Sequence, residues 1–143
     1  MSELGSFVKR IRDIMRNDAG INGDAQRIEQ IAWMLFLKVY DAKEEDWEFD
    51  EDDYRSIIPE PLRWRNWAVD DGKGTALTGD KLLDFVNNQL FPELKKLDID
   101  ASTPIRKAIV KTTFEDANQY MKDGVLLRQV VNVVDSLDLG DYA

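Results

Sequence analysis

The apolar residues of this chain recur at intervals of three and four in most segments, which is the spacing of an amphipathic α-helix. Two such stripes are predicted in the first forty residues. The first consists of Leu4, Phe7, Val8, Ile11, Ile14 and Met15, and the second of Ile28, Ile31, Ala32, Leu35 and Val39. Because Trp33, Met34 and Leu37 add apolar side chains on other faces of the second helix, we expect that helix to be central to the core.

Turn-forming and acidic residues replace this pattern in the middle of the chain. Asp41–Asp53 is interpreted as an acidic, solvated connection, in which a helical start is compatible with the pattern. Tyr54–Ile58 is expected to form one short turn before Pro59 and Pro61 break it. A tryptophan-containing stretch, 62–69, then leads into a loop made of Asp70, Asp71, Gly72, Lys73 and Gly74.

Helical spacing returns in the second half of the chain. A helix is predicted to begin near Thr78 and to be interrupted at Pro92. Another begins at Ser102-Thr103-Pro104 and runs to about Thr112. Residues 114–121 are also expected to be helical, before a break at 122–124.

The last segment, 125–137, is rich in valine, which favours strand. Its apolar residues nevertheless share one broad helical face, and we give the periodicity more weight than the propensity. No segment shows the alternation of a long strand. The predicted fold is therefore all-α, a compact multi-helix orthogonal bundle with irregular loops containing proline and tryptophan in the middle.

Composition places the chain among globular proteins. Its 143 residues suit one domain, and 43% are hydrophobic and 33% charged. The chain has no cysteine, which excludes disulfides and fits a reducing cytoplasm. Neither a signal peptide nor an apolar run long enough to cross a bilayer is visible. We therefore expect a cytoplasmic domain without a membrane anchor.

The net charge of −9 is unevenly distributed, since residues 41–60 contain ten acids and two bases. An acidic chain repels DNA phosphates, which argues against an autonomous, non-specific nucleic-acid binder. A subunit that touches DNA through one small face stays possible. The acidic cluster also suggests an alternative function, a free-standing acidic protein–protein interaction module.

No motif in the sequence predicts a catalytic, cofactor-binding or metal site. Without histidine or cysteine, the common nucleophilic triads and His-ligated metals are excluded. Gly72-Lys73-Gly74 follows an acidic stretch, so an ordinary turn is favoured over a phosphate-binding loop. The alternating acids at 46, 48, 50 and 52 faintly resemble a calcium loop, but Glu51 stands where the loop needs glycine. A hydrolase that uses a pair of carboxylates is also unsupported, because nothing in the spacing of the acids selects such a pair.

Two groups of cations are candidates for contact with DNA. On the first helix Lys9, Arg12 and Arg16 project opposite the apolar stripe, with Asp13 among them. The alternative is an ordinary solvated helix face.

The second group lies in the stretch Arg63-Trp64-Arg65-Asn66-Trp67, which interleaves cations with aromatic rings. Such a composition can stack bases and hold phosphates. The alternative is that both tryptophans pack into the core while Arg63 and Arg65 reach solvent.

Three segments together resemble a known family. They are Gln26–Asp41, which ends in Phe36-Leu37-Lys38 and an aromatic; Met121–Val131, which begins Met121-Lys122-Asp123-Gly124; and the layout of Ile58-Pro59, Trp64 and Leu90-Phe91-Pro92 between them. This combination resembles the N-terminal helical domain of the modification subunit of type I restriction–modification DNA methyltransferases. The resemblance covers essentially the whole chain.

The resemblance implies a larger parent enzyme. In that family a following domain binds S-adenosylmethionine and methylates N6 of a flipped-out adenine held by an Asn-Pro-Pro-Phe motif. Two modification subunits join a specificity subunit that reads the DNA sequence, and a restriction subunit can be added. The N-terminal domain is thought to help clasp DNA and to pack against neighbouring subunits.

This chain lacks the Asn-Pro-Pro-Phe motif and stops at Asp141-Tyr142-Ala143, about where the family passes into the catalytic domain. Residues 1–143 are therefore expected to be a single non-catalytic domain. Part of the apolar face of the last helix could then serve interdomain packing, through Leu126, Val130, Val133 and Leu137. The alternative is that these residues are ordinary core.

Overall fold

Helices make up all the regular structure of residues 3–138, which are the residues that the computed structural model describes; no strand occurs among them. The α-helices are α1 (Glu3–Met15), α2 (Asp24–Asp50), α3 (Trp64–Trp67), α4 (Gly79–Phe85), α5 (Phe91–Lys95), α6 (Ile105–Glu115) and α7 (Gly124–Ser136). A 3₁₀ turn spans Glu60–Leu62, and a π-helical turn spans Val86–Leu90. The all-α prediction is confirmed, whereas the predicted end at Asp141-Tyr142-Ala143 lies outside the described residues.

The long helix α2 is central to the core as predicted, but most of its core contacts come from the side opposite the predicted stripe, of which only Ile31 and Leu35 pack against the core. The buried face carries Gln30, Trp33, Met34, Leu37, Tyr40, Asp41 and Glu44. By contrast, Ile28 is 66% exposed and Val39 is 37% exposed. The physical reason is that α2 is apolar on two faces, and the large aromatic Trp33 gains more from burial than small aliphatic side chains do.

A cluster of aromatic rings around Trp33 holds the core together. Ring centroids lie 5.0 Å away in Phe91, 6.4 Å away in Phe114 and 6.5 Å away in Trp67. Edge-to-face and offset pairs at such distances contribute about 0.5–1.5 kcal/mol each beyond the burial of their area. One side chain of α2 thus joins α3, α5 and α6.

The predicted acidic connection from Asp41 to Asp53 is wrong over most of its length, because α2 continues to Asp50. Asp41, Glu44 and Glu48 recur at intervals of three and four and therefore lie on one side of the helix. That side meets arginines of the following segment. Ion pairing across the fold thus supports helix where the local composition suggested a solvated loop.

The short turn expected at 54–58 is displaced to Glu60–Leu62, where Pro61 stands at the beginning of a 3₁₀ turn. A proline is tolerated there because the first N–H groups of a helical turn have no internal partner. The predicted loop at 70–74 is confirmed. Gly72 and Gly74 adopt φ of +79° and +77°, values that glycine reaches without strain.

Pro92 does not interrupt its helix as predicted. The helical path continues from Gly79 to Lys95, with a wider π turn at Val86–Leu90 directly before the proline. A proline ring inside an α-helix lacks a donor and crowds the carbonyl four residues earlier. The wider turn relieves that conflict, since π bulges commonly occur where the regular hydrogen-bond ladder is disturbed.

The helix predicted for residues 114–121 is also wrong, because α6 ends at Glu115 and 116–123 is irregular. Side chains from distant parts of the chain accept its backbone N–H groups. The Gln30 side chain accepts from Tyr120 N at 2.7 Å, and the Asp18 carboxylate accepts from Lys122 N and Asp123 N, each at 3.0 Å. These bonds replace the helical ones that the local sequence favours.

The predicted last helix is confirmed as α7, and its beginning is set by two contacts. The Asp123 carboxylate accepts the N–H groups of Val125 and Leu126 as an N-cap. Gly124 packs against the backbone of Gly79, where a Cβ atom would lie 1.9 Å from the Gly79 carbonyl oxygen. The starts of α4 and α7 therefore approach more closely than any side chain would allow.

None of the helices within residues 3–138 combines the length and the apolar character that crossing a membrane requires.

We predict that Gly124→Ala destabilises the domain by about 2 kcal/mol, because the new methyl group must push two backbones apart. Denaturant unfolding measures this change. Gln129→Ala, on the exposed side of the same helix, is the matched control and should change stability little. Equal stability of the Gly124 variant and the wild type would contradict the close approach of α4 and α7.

Candidate nucleic-acid interface

Exposed cations give α1 a basic face. Phe7, Ile11 and Met15 are buried against the rest of the domain, as the first stripe predicted, while Leu4 and Val8 stay about half exposed. The opposite side is polar. It presents the exposed cations Lys9, Arg10, Arg12 and Arg16, which we call the α1 basic face.

The α1 basic face has little internal neutralisation. Arg16 forms an ion pair with Asp13 at 3.4 Å, and both side chains are largely exposed. Lys9, Arg10 and Arg12 form no ion pair with any described residue. Four bases and one acid within two turns of helix make a local positive surface on a chain whose net charge is −9.

The spacing of these cations suits a linear array of charges. Lys9, Arg12 and Arg16 follow one another at intervals of three and four, so neighbouring side chains stand about 5–6 Å apart at Cβ. Lys122 lines a cleft of about 380 Å³ with Asn17, just after α1, but Asp80 and Asp123 line the same cleft. The sequence prediction did not include Arg10, which lies on the other flank of the helix from Arg12, about 160° away around the axis.

Arg63 and Arg65, the other predicted DNA contacts, lie in a cluster of carboxylates. Arg63 is 7% exposed, and its guanidinium pairs with Glu48, with Glu60 at 3.3 Å and with Glu44 at 3.5 Å. As the alternative predicted, Trp64 and Trp67 are buried, at 3% and 5% exposure. Arg63 does not reach solvent as that alternative supposed, whereas the Arg65 side chain is 27% exposed.

The partners of Arg65 come from the same helix. Its Nε donates to Asp41 Oδ1 at 2.8 Å, and its Nη2 lies 3.1 Å from Glu48 Oε1. The charges of both arginines are therefore offset within the fold. Contact of Arg63 and Arg65 with DNA stays a prediction from the sequence.

Two tyrosines complete this carboxylate–arginine cluster. Tyr54 donates its hydroxyl hydrogen to the fully buried Glu44 at 2.5 Å. Burial, and to a smaller extent the charge of Glu44, raises the pKa of Tyr40 to about 12. Burial and the hydrogen bond to Glu44 also raise the pKa of Tyr54 above its ordinary value. Both phenols stay protonated near pH 7 and act as hydrogen-bond donors. The cluster is built to bind α2 to the segment 54–65.

The acids that faintly resembled a calcium loop do not form one. Asp46, Glu48 and Asp50 lie on α2, where alternate residues point in different directions, and Glu48 is paired with arginine. Among the described residues no group of three or more acids is placed to hold a metal ion.

The Gly72-Lys73-Gly74 loop is an ordinary turn. Asp70 accepts Gly72 N and Asp71 accepts Lys73 N, each at 2.9 Å. Carboxylates thus occupy the two backbone donors that a phosphate would need.

The predicted interdomain residues of α7 lie in the core of this domain. Val130 is 0% exposed, Val133 3% and Leu137 7%, while Leu126 is half-buried. They correspond to the alternative of ordinary core, because α1 and α4 pack against this face of α7. These side chains offer no broad free surface to a second domain.

Arg128 joins α7 to the irregular segment between α3 and α4. Its guanidinium donates to the carbonyl oxygens of Ala68 and, at 3.1 Å, of Leu77. Burial lowers the pKa of Arg128, and carbonyl acceptors replace the lost water.

Comparison with known proteins gives the same result by sequence and by structure. Residues 4–134 match the family described as the HsdM N-terminal domain. The chain is 47% identical over 135 residues to the type I restriction enzyme EcoEI methylase subunit from Escherichia coli, covering 94% of this chain and 27% of that protein.

Two solved structures have a similar fold. One is a modification subunit of a type I restriction enzyme from Vibrio vulnificus YJ016, with a TM-score of 0.85 and 34% identity over 94% of this chain and 30% of that one. The other comes from work on complex assembly and conformational transition of the type I R-M system, with a TM-score of 0.77 and 33% identity over 96% of this chain and 26% of that one. The chain thus spans between 26% and 30% of the length of these relatives.

We predict that Glu48→Gln lowers the free energy of unfolding at pH 7 by less than about 1 kcal/mol, because solvent screens an ion pair whose carboxylate is partly exposed. The bond from Arg63 holds the pKa of Glu48 below its ordinary value of 4.5. A carboxylate whose pKa is lower in the folded state stabilises the fold at pH values above its pKa in the unfolded state. This stabilisation is lost as the pH falls through its pKa in the folded state.

The difference between Glu48→Gln and wild type should therefore shrink as the pH is lowered from 6 through about 4.5 and below. Unfolding by denaturant across that range measures it. Glu45→Gln, an exposed neighbour for which no ion pair is seen among the described residues, is the control and should show little difference at any pH. A Glu48 effect that stays constant with pH would contradict the ion pair.

Proposed function

This chain belongs to the family of HsdM N-terminal domains, and we propose that it positions DNA and neighbouring subunits in a type I DNA adenine-N6 methyltransferase without taking part in the chemistry. The domain is that of a type I modification subunit. The observation that carries the proposal is the α1 basic face, three of whose cations have no ion-pair partner among the described residues.

Methyl transfer is assigned to the remainder of the parent subunit. A relative is named a methylase subunit, and we propose that the parent is a cytoplasmic enzyme that uses S-adenosylmethionine. The residues described here do not fit that cofactor, because the glycine pair at 72 and 74 follows no strand and its loop donors are taken by Asp70 and Asp71.

Contact with the DNA backbone suits the chemistry of α1. Lysine and arginine neutralise phosphates and release counterions, which gives affinity without reading the sequence. The net charge of −9 makes the isolated domain a poor DNA binder. A small positive face is sufficient when the specificity subunit supplies sequence recognition and most of the affinity.

Membership in the HsdM N-terminal domain family also suggests which subunits the domain contacts. One structural relative comes from work on assembly of the type I R-M system. We propose that this domain packs against the specificity subunit and the second modification subunit, and that the restriction subunit joins the same assembly.

The alternative of a free-standing acidic interaction module is not favoured. The family places the chain within a larger subunit. In addition, arginines of the same chain pair with half of the acids in residues 41–60, namely Asp41, Glu44, Glu48, Glu51 and Glu60.

We predict that the triple variant Lys9→Ala, Arg12→Ala, Arg16→Ala weakens DNA binding by the assembled enzyme by a similar factor at cognate and non-cognate sequences. The slope of log K against log salt should flatten by up to about 2.7, at about 0.9 for each lost phosphate contact. Fluorescence anisotropy over a salt series measures both effects.

The matched control removes three exposed lysines elsewhere, Lys73, Lys81 and Lys96. It changes the net charge equally but should leave the salt slope nearly unchanged. An identical slope for wild type and the α1 variant would exclude α1 from the DNA interface.

A further inference from the structure

The long helix α2 carries a row of apolar residues opposite its buried face; two of them, Ile31 and Leu35, pack against the core, and the other four are exposed. Ile28, Ile31, Ala32, Leu35, Val39 and Ala42 follow at helical spacing along that side, and we call them the α2 outer stripe. Ile28 is 66% and Val39 37% exposed, Ala32 and Ala42 are exposed, and Ile31 and Leu35 are half-buried.

This stripe differs from scattered surface leucines or valines, which are normal on any protein. It is continuous over four turns, about 21 Å of helix. A helix that is apolar on two opposite sides is typically covered on both. The inner side packs on the core through Trp33 and Leu37, so the exposed part of the outer side, Ile28, Ala32, Val39 and Ala42, is the part left for a partner.

The position of the chain end indicates which partner. Lys38 Nζ donates to the carbonyl oxygen of Asp135 at 2.7 Å, and Trp64 Nε1 donates to the Asp135 carboxylate at 2.9 Å. These bonds hold the end of α7 against α2. Leu137 and Asp138 then line a cleft of about 360 Å³ together with Lys38 and Ala42, the last residue of the α2 outer stripe.

In the relatives, more chain follows at this point. The matched family is an N-terminal domain, and this chain covers only 27% of the EcoEI methylase subunit. Chain continuing from Asp138 starts beside one end of the stripe. About six extended residues would reach its other end, since an extended residue spans about 3.4 Å.

The size of the stripe favours a partner in the same chain. The four exposed side chains, two of them alanine, offer much less than the roughly 800 Å² per partner of a standard stable interface. A free second protein would bind such a patch weakly. A short linker raises the effective concentration of the next domain to the millimolar range, so a small apolar contact is sufficient.

We propose that the α2 outer stripe is the docking surface for the domain that follows in the same modification subunit, which covers it with an apolar surface of its own. This rests on the proposed function only through membership in a longer subunit. It assigns interdomain packing to α2, in place of the apolar face of α7 predicted from sequence.

The test measures thiol accessibility in the full-length modification subunit. Because residues 1–143 contain no cysteine, Ile28→Cys, Ala32→Cys or Val39→Cys introduces the one thiol within these residues. Matched controls are Ile105→Cys and Ile109→Cys, which replace exposed apolar residues four apart on α6, at 86% and 45% exposure. Maleimide labelling is followed over time, and peptide mass mapping assigns each adduct.

The three stripe cysteines should label about tenfold or more slowly than the controls, because a covered thiol reacts only when the interface opens. The slow rates should not depend on protein concentration and should not require other subunits. Fast labelling of both sets would overturn the proposal. So would slow labelling that is relieved on dilution, which indicates a second copy, or that appears only after the specificity subunit is added.

No DNA is present in this measurement. Failure of the docking proposal therefore leaves the salt dependence of DNA binding untouched, and the two proposals can fail independently.

Discussion

One rigid element, the 27-residue helix α2, fixes the position of most other segments. A helix of that length extends about 40 Å, so it contacts elements that are far apart in the chain. Trp33 meets the rings of α3, α5 and α6. Gln30 binds the segment before α7, Lys38 holds the end of α7, and Tyr40 donates to a carbonyl of α6. Disturbing α2 would therefore release several segments at once.

Buried polar side chains, rather than regular hydrogen-bond ladders, order the irregular parts of the domain. Asp18 holds the backbone before α7, Arg63 joins the segment after residue 59 to α2, and Arg128 binds the carbonyls of Ala68 and Leu77. Buried donors and acceptors need partners, and a buried charge needs them most. These groups therefore specify one arrangement of loops that hydrophobic burial alone would leave variable.

The residues that carry the family resemblance are the same structural anchors. In the segment 26–41 they include Gln30, Trp33 and Lys38, and in the segment 121–131 they include Gly124 and Arg128. Each makes a contact across the fold. The exterior of the domain carries the basic face of α1 and the exposed apolar residues of α2.

Periodicity and composition by themselves determined the all-α class, the inner side of α1, the course of α7 and the glycine loop at 72–74. Those features depend on spacing within one element or on the backbone freedom of glycine. Only the tertiary structure decided which side of α2 is buried, how far that helix extends, and that 116–123 is not helical. It also placed Arg63 and Arg65 among carboxylates. In each of these cases the deciding partner lies on another element, as with Asp18 and Lys122, which are 104 residues apart. Local spacing carries no record of such a partner, and its hydrogen bond or ion pair outweighs the local preference.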